Sequence, residues 1–561
     1  MTPRSLFPFC IAILAAGCAG TPPPQAAAAP AAPRPFADAD QEIAYHVFMG
    51  ELASQRDDTR TAVDEYLAAA RLSPDPTLSS RAALLAYGAG DQAEAMEAAK
   101  RWRSLAPENR DAGHLLAVLD AKAGDAAAAA GEFEALVKTG GDRDYGAAAE
   151  TLEQETDAAH ALPVLQRIVA DDPQSSGAHL ALANAALNYK RAELAESEAR
   201  TALALEPGSD DARILLARAL VSGDKPDEAM ALMQDRLRRA GDDVGLQLAF
   251  AALLVEADRN KQAQEVLETV LKAHPDNGEA LYTLGLLSLQ EKDTATARVY
   301  LMRLIKTGHR INDANYFLGN AAEIDKKYAE ALDWYHRVQD GERWLAAQAG
   351  IGRSLVEVGT PGAAEEFFND LVADDAEEAV TLRLTEGQAF TDAGQPKLAL
   401  KVYDGALSEV PEEHDLLYAR ALLLEQNGNS DAAESDLASI LKHSPDDAQA
   451  LNALGYMLTL HTSRYREAQD YIRKALAIEP DDPAIMDSLG WVDHRLGDET
   501  SALGYLRKAY AAQADPEIAA HLVEVLLTTG DRTGAHSLFE KALQADPNNA
   551  ALLDLKARLN P

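Results

Sequence analysis

The residues of this chain able to do chemistry are mainly carboxylates and imidazoles. Acid pairs stand at Asp374-Asp375, Asp446-Asp447 and Asp481-Asp482, and Asp493-His494 sets a carboxylate beside an imidazole. Adjacent carboxyls can share a proton, and an Asp–His couple can move one. The acid pairs, however, recur at turns between apolar-periodic segments, where aspartate caps helix amides and keeps a surface soluble. His494 sits within a predicted helix, where a structural or solvated role competes with a catalytic one. Thirteen histidines are scattered over 561 residues, with no helical pair joined by acidic ligands. HExxH, GxSxG, a glycine-rich phosphate loop and an EF-hand loop do not occur in the sequence. The chemistry expected is recognition: no enzyme, no metal and no cofactor.

Composition narrows the partners. The chain is 47% hydrophobic and 25% charged, an ordinary folded mixture, and its formal net charge is −38. Nucleic acid and anionic lipid surfaces repel such a body, and a charge-steered partner is basic.

Both cysteines, Cys10 and Cys18, lie near the N-terminus, which reads MTPRSLFPFCIAILAAGC. Arg4 opens it, an apolar run follows from Leu6 to Ala16, and small residues precede Cys18. The run is too short to span a bilayer but suits a secretory signal over residues 1–17. Leu14-Ala15-Ala16-Gly17-Cys18 resembles a bacterial lipobox, although Ala15 stands where leucine is usual. That resemblance implies a diacylglyceryl group on Cys18 and, with Ala19 after it, sorting to the outer membrane facing the periplasm. Acyl chains at about 0.8 kcal/mol per buried CH₂ hold such a body firmly. Prolines 22, 23, 24, 30, 33 and 35 then make residues 18–35 a semi-rigid Pro/Ala-rich tether of up to roughly 55 Å.

The elements that would position a binding surface announce themselves by a repeat. Prolines at 74, 107, 173, 207, 275, 411, 445, 480 and 547 fall close to multiples of the roughly 34-residue helix–turn–helix period. Small residues keep the same beat. Leu454-Gly455 is followed by Ala468, Tyr471, Ala475 and Pro480; Glu386-Gly387 by Ala399, Tyr403, Ala406 and Pro411; Leu318-Gly319 by Ala331 and Tyr335. Glycine at a crossing lets two helices approach, and a large residue such as Tyr471 or Tyr403 fills the gap beside it. Asp482, Asn277, Asp447 and Asn549 stand where a cap for the next helix is needed. This pattern resembles the tetratricopeptide (TPR) repeat.

The resemblance implies an all-α fold over residues 36–561, a right-handed TPR solenoid of about fifteen helix pairs. Units start near 43, 76, 110, 142, 176, 210, 244, 278, 312, 345, 380, 414, 448, 483 and 516. The unit from Asp142 to Pro173 is degenerate around Gly146, readable as a kink or as a site, and a capping helix is expected from Ala550 to Leu559.

In proteins with this repeat the first helix of each unit lines a concave wall. Its fifth and ninth positions transfer to Tyr282 and Leu286, Tyr316 and Asn320, Leu384 and Gln388, Tyr418 and Leu422, Asn452 and Tyr456, Asp487 and Trp491. Such a mixture of aromatic, amide and apolar groups suits another protein's surface or an extended peptide. Packing against the neighbouring unit competes with binding at each position. Lysine is absent from these positions, so no clamp for a C-terminal carboxylate is expected. The densest candidate cluster is Asn452, Tyr456, Tyr465, Asp487, Trp491, His494 and Arg495, with a packed C-terminal core as the competing role.

The stretch from Leu451 to Asp498 resembles the C-terminal region of large bacterial TPR lipoproteins. That family includes a partner of a periplasmic carboxyl-terminal processing protease. The resemblance implies an adaptor that brings basic peptidoglycan hydrolases to such a protease. An assembly factor for an outer-membrane export or polysaccharide secretion complex is the alternative.

Overall fold

The computed structural model describes residues 38–56, 58–140, 145–371, 373, 375–547 and 549–559. The expected signal segment 1–17, Cys18 and the tether 18–35 lie outside these residues. Described residues form α-helices joined by turns, and the chain divides into two compact units, Met1–Gly241 and Asp242–Pro561.

The first unit carries six helix pairs. They are α1 and α2 (Ala39–Ser54, Thr59–Leu72), α3 and α4 (Pro76–Gly88, Gln92–Leu105), and α5 and α6 (Arg110–Lys122, Ala126–Gly140). Then come α7 and α8 (Gly146–Glu155, Ala158–Asp171), α9 and α10 (Ser176–Asn188, Ala192–Leu205), and α11 and α12 (Asp210–Ser222, Pro226–Ala240).

The second unit carries nine pairs and a last single helix. It begins with α13 and α14 (Val244–Glu256, Asn260–Ala273), α15 and α16 (Gly278–Gln290, Thr294–Thr307), and α17 and α18 (Ile311–Ile324, Tyr328–Tyr335). It continues with α19 and α20 (Trp344–Glu357, Pro361–Asp370), α21 and α22 (Ala376–Asp392, Pro396–Glu409), and α23 and α24 (His414–Gln426, Ser430–His443). It closes with α25 and α26 (Ala448–His461, Tyr465–Ile478), α27 and α28 (Pro483–Leu496, Glu499–Ala512), α29 and α30 (Pro516–Thr528, Arg532–Ala545), and α31 (Ala550–Leu559).

The turns contain the caps that their acids suggested. Asp482 accepts from the Ile485 amide at 2.8 Å, Asp447 from Ala450 at 2.7 Å, and Asn277 from Ala280 at 2.9 Å. Asp375 caps Glu378 at 2.9 Å and starts α21 ahead of the expected position 380. Asp38 does the same for α1, accepting from Gln41 at 2.8 Å. These carboxylates are structural acceptors for amides that a helix start leaves unpaired.

Close approach explains the glycines. A Cβ added at Gly455 would stand 2.5 Å from Ile472 and 2.8 Å from the Ala468 carbonyl, and one at Gly387 would overlap the Tyr403 ring. Tyr403 fills its gap as expected. Tyr471 does not: the partner of Gly455 is Ile472, because α25 runs to His461, one residue longer than α15 or α23, before a three-residue connection of the same length as theirs. Elsewhere alanine does the same work, as in the buried Ala82, Ala83 and Ala86 of α3 and Ala95, Ala98 and Ala99 of α4.

Within each unit the first helices of successive pairs pack on one another, as α7 on α9 and α9 on α11, or α25 on α27 and α27 on α29. They form a closely spaced layer. The degenerate unit is a short pair: α7 has ten residues, and α8 carries Pro163 inside it on an exposed face.

Candidate protein-binding wall

Three consecutive first helices, α25, α27 and α29, build the densest polar-aromatic array. Asn452 and Tyr456 lie one turn apart on α25, and Asp487 and Trp491 one turn apart on α27. His521 of α29 joins the two rows. Its Nδ1 stands 2.9 Å from Asp487 Oδ2, both side chains being buried. Its ring stacks on Trp491 at 4.3 Å between centroids and 19° between planes, and lies 6.2 Å from the Tyr456 ring.

Two polar atoms in the array are buried without a hydrogen-bond partner among the described residues, Trp491 Nε1 and Asn452 Oδ1. Trp491 itself is 9% exposed, so most of its surface serves packing. Tyr456 is half-buried, its hydroxyl 3.4 Å from Glu517. Burial first, then the Glu517 and Asp487 carboxylates, holds its phenol well above the ordinary value.

The other members of the expected cluster face different neighbours. His494 lies 5.3 Å from the Trp491 ring and pairs with Glu499 at 2.8 Å. Arg495 is exposed, stands over the Tyr465 ring at 5.0 Å and donates to its hydroxyl at 2.5 Å. Asp493 is 1% exposed and accepts from Gln469 and Ser501, so the Asp493-His494 couple is split between two structural roles.

A second array spans α15, α17 and α19. Tyr282 meets Phe317 edge-on at 6.0 Å, and the Arg310 guanidinium lies 4.6 Å above Tyr282. Arg343 covers Tyr316 at 5.7 Å and Phe317 at 5.2 Å while bonding Asp313 at 3.1 Å. These stacked cations keep the rings half-exposed yet ordered. Three further candidates turn inward or along their own helix. Asn320 Oδ1 lies 2.6 Å from the buried Tyr335 hydroxyl, and Gln388 donates to Asp392 at 2.6 Å. Tyr418 is half-buried and stacks on His414 at 6.5 Å.

The first unit holds a further wall of the same kind. A cavity of about 360 Å³ opens on α7, α9 and α11. Carrying the fifth and ninth positions to the pairs that begin at 176 and 210 gives Leu180, Asn184, Ile214 and Arg218, and all four line it. The exposed Asn184 side chain makes no hydrogen bond among the described residues. The same offsets that found Tyr456 contained this signal.

Among the described residues no group of three or more His, Cys, Asp or Glu side chains is placed to hold a metal ion. Among them, too, no helix is long and apolar enough to cross a membrane.

The sequence is 31% identical over 543 residues to a TPR repeat-containing protein of Pseudomonas aeruginosa, covering 93% of this chain and 90% of that one. The chain belongs to the tetratricopeptide-repeat family. Tetratricopeptide repeat families match residues 378–548, 248–310 and 190–253 of the solenoid. The TPR chain is also 24% identical over 445 residues to cellulose synthase operon protein C of Pseudomonas fluorescens, covering 61% of this chain and 34% of that protein. The crystal structure of yeast Tom70 is similar over 92% of this chain and 99% of its own, at 15% identity and a TM-score of 0.36. A TPR solenoid is a scaffold for protein–protein interaction.

Proposed function

We propose that this TPR chain is a non-catalytic adaptor, held on the outer membrane by lipid at Cys18 and facing the periplasm, that brings a carboxyl-terminal processing protease and basic cell-wall hydrolases together. The observation that carries the reading is the array on α25, α27 and α29. Tyrosine, tryptophan and histidine rings converge there with two polar atoms left unpaired. An unsatisfied buried polar atom costs about 1–3 kcal/mol. A partner that reorders Trp491 and Asn452 relieves that cost and gains an aromatic anchor. Two sites on one scaffold raise the effective concentration of one partner for the other. The charge of −38 favours basic partners.

Capture from a periplasmic extract with the lipid-free chain tests this. The protease and basic hydrolases are expected on the wild-type protein, and Tyr456→Ala and Trp491→Ala should each weaken binding by about 2 kcal/mol, roughly thirtyfold. Unchanged recovery on both variants contradicts the assignment of the wall. An export or polysaccharide-secretion assembly factor is the second reading, favoured by the likeness to cellulose synthase operon protein C. Recovery of an outer-membrane exporter in place of the protease would decide for it.

A further inference from the structure

Helix α20 stops at Asp370 after ten residues, where second helices such as α22 and α26 run for fourteen. The chain leaves it in extended backbone at Leu371. A cavity of about 660 Å³ lies between α20, α21 and α22, within the roughly 300–1,000 Å³ typical of small-molecule sites.

Glu386 of α21 lines this cavity and is only 2% exposed. It stands directly before the crossing glycine Gly387, a position held by Leu284, Leu318, Leu454 and Leu489 in other units. A buried carboxylate is expensive where leucine is free of cost, so its presence asks for a use. One oxygen, Oε2, accepts from Arg383 at 2.5 Å, and Arg383 also reaches Asn369 at 3.1 Å. Oε1 has no hydrogen-bond partner among the described residues, so the carboxyl keeps an open acceptor.

The charges around it leave a negative excess. Glu365 of α20 and Lys401 of α22 pair across the cavity wall at 2.7 Å, and Arg383 answers Glu386. Glu409 of α22 also lines the cavity and is exposed, with no ion-pair partner among the described residues. Val380, Val402 and Leu416 supply apolar wall. A ligand that fits has one positive head with several hydrogen-bond donors and an aliphatic stem.

We propose that this cavity binds a protonated alkylamine, with Glu386 Oε1 receiving the ammonium group and Val380, Val402 and Leu416 packing its stem. A lysine side chain of a protein and a free small amine share this chemistry. The site is separate from the α25–α29 wall, and its test uses no protein partner, so its failure leaves the adaptor reading untouched. Burial pushes the Glu386 carboxyl up to about 7, against the opposing pull of Arg383. An arriving ammonium therefore competes with a proton for the same carboxyl.

Calorimetric titration of the full chain with n-butylammonium and with Nα-acetyl-lysine amide tests the proposal, with Nα-acetyl-norleucine amide as the uncharged control. Saturable uptake of at least one ammonium probe is expected at about pH 8, weakened about tenfold at about pH 6 and about tenfold in Glu386→Gln. Binding of the lysine amide alone assigns the site to a protein side chain, and binding of butylammonium assigns it to free amines as well. Gly405 lines the same cavity and a Cβ there meets nothing within 4 Å, so Gly405→Leu adds bulk at the cavity wall with no clash at its Cβ. That variant should lose the uptake even if Glu386→Gln fails to fold. No saturable uptake, equal binding of the norleucine amide, or full affinity in Gly405→Leu or in a folded Glu386→Gln overturns the proposal.

Discussion

At the scale of single residues, the glycine crossings and Glu386 show how differently two kinds of position reveal themselves. Gly387 and Tyr403 were legible as a pair because a small residue and a large one recur at fixed separation. Gly387→Ala should cost about 1–3 kcal/mol of stability in a denaturant titration, since the added Cβ forces the Tyr403 ring off its seat. Glu386 was legible only as a neighbour of that glycine; a glutamate in a sequence reads as surface, and nothing local announced that it would lie buried beside a cavity. His521 was missed for a related reason: it sits at the sixth position of its helix, between the two offsets used, yet it is the residue that joins Asp487, Trp491 and Tyr456. The titration of Glu386 has a definite sign. Its folded value of about 7 lies above the ordinary 4.5, so the folded state holds the proton more tightly. Its contribution to stability is complete below about pH 4.5 and is lost as pH rises toward 7, by a few kcal/mol at most. The difference in melting free energy between wild type and Glu386→Gln, followed from about pH 4.5 to pH 7, should show that loss in the wild type alone.

At the scale of elements, fifteen helix pairs followed from proline spacing and apolar period because both are local. The ends shifted where caps lay outside the expected unit, as at Asp38 and Asp375. The degenerate stretch at 142–173 resolved into a short pair because α7 keeps its apolar face, Ala148, Ala149 and Leu152, in so few residues. Most turns between first and second helices contain a left-handed residue, although those after α7 and α25 do not. Gly90, Gly124, Gly394 and Gly428 supply it in some units, whereas Lys190, Asp224, Asp258, Lys292 and Lys326 adopt positive φ in others. A side chain in that region is strained by about 1 kcal/mol. Lys326→Gly should therefore raise stability by roughly 0.5–1 kcal/mol, read as a rise in denaturation midpoint. Removing a cap runs the other way, and Asp482→Ala should cost about 1 kcal/mol by the same measurement.

At the scale of the whole molecule, charge and attachment dominate. With a net charge of −38, binding to a basic partner should weaken steeply as salt is raised from low to physiological strength, mostly through a slower association rate. Membrane fractionation of Cys18→Ser should find the body in the soluble fraction, because one thiol carries the proposed anchor. The fold class was legible at this scale because most units repeat the same signal. The partner was not, because binding surfaces are written in residues that vary from unit to unit.

The C-terminal helices are proposed to meet another protein through the face that carries Tyr456 and Trp491. A photoreactive amino acid placed at Tyr456, on α25, and separately at the exposed Lys474, on the second helix α26, decides this in intact cells. Cross-links to a protein partner from position 456 and none from position 474 are predicted. Cross-links from 474 with none from 456 would place the interface on the second helices and contradict the wall described for Asn452, Tyr456, Asp487 and Trp491.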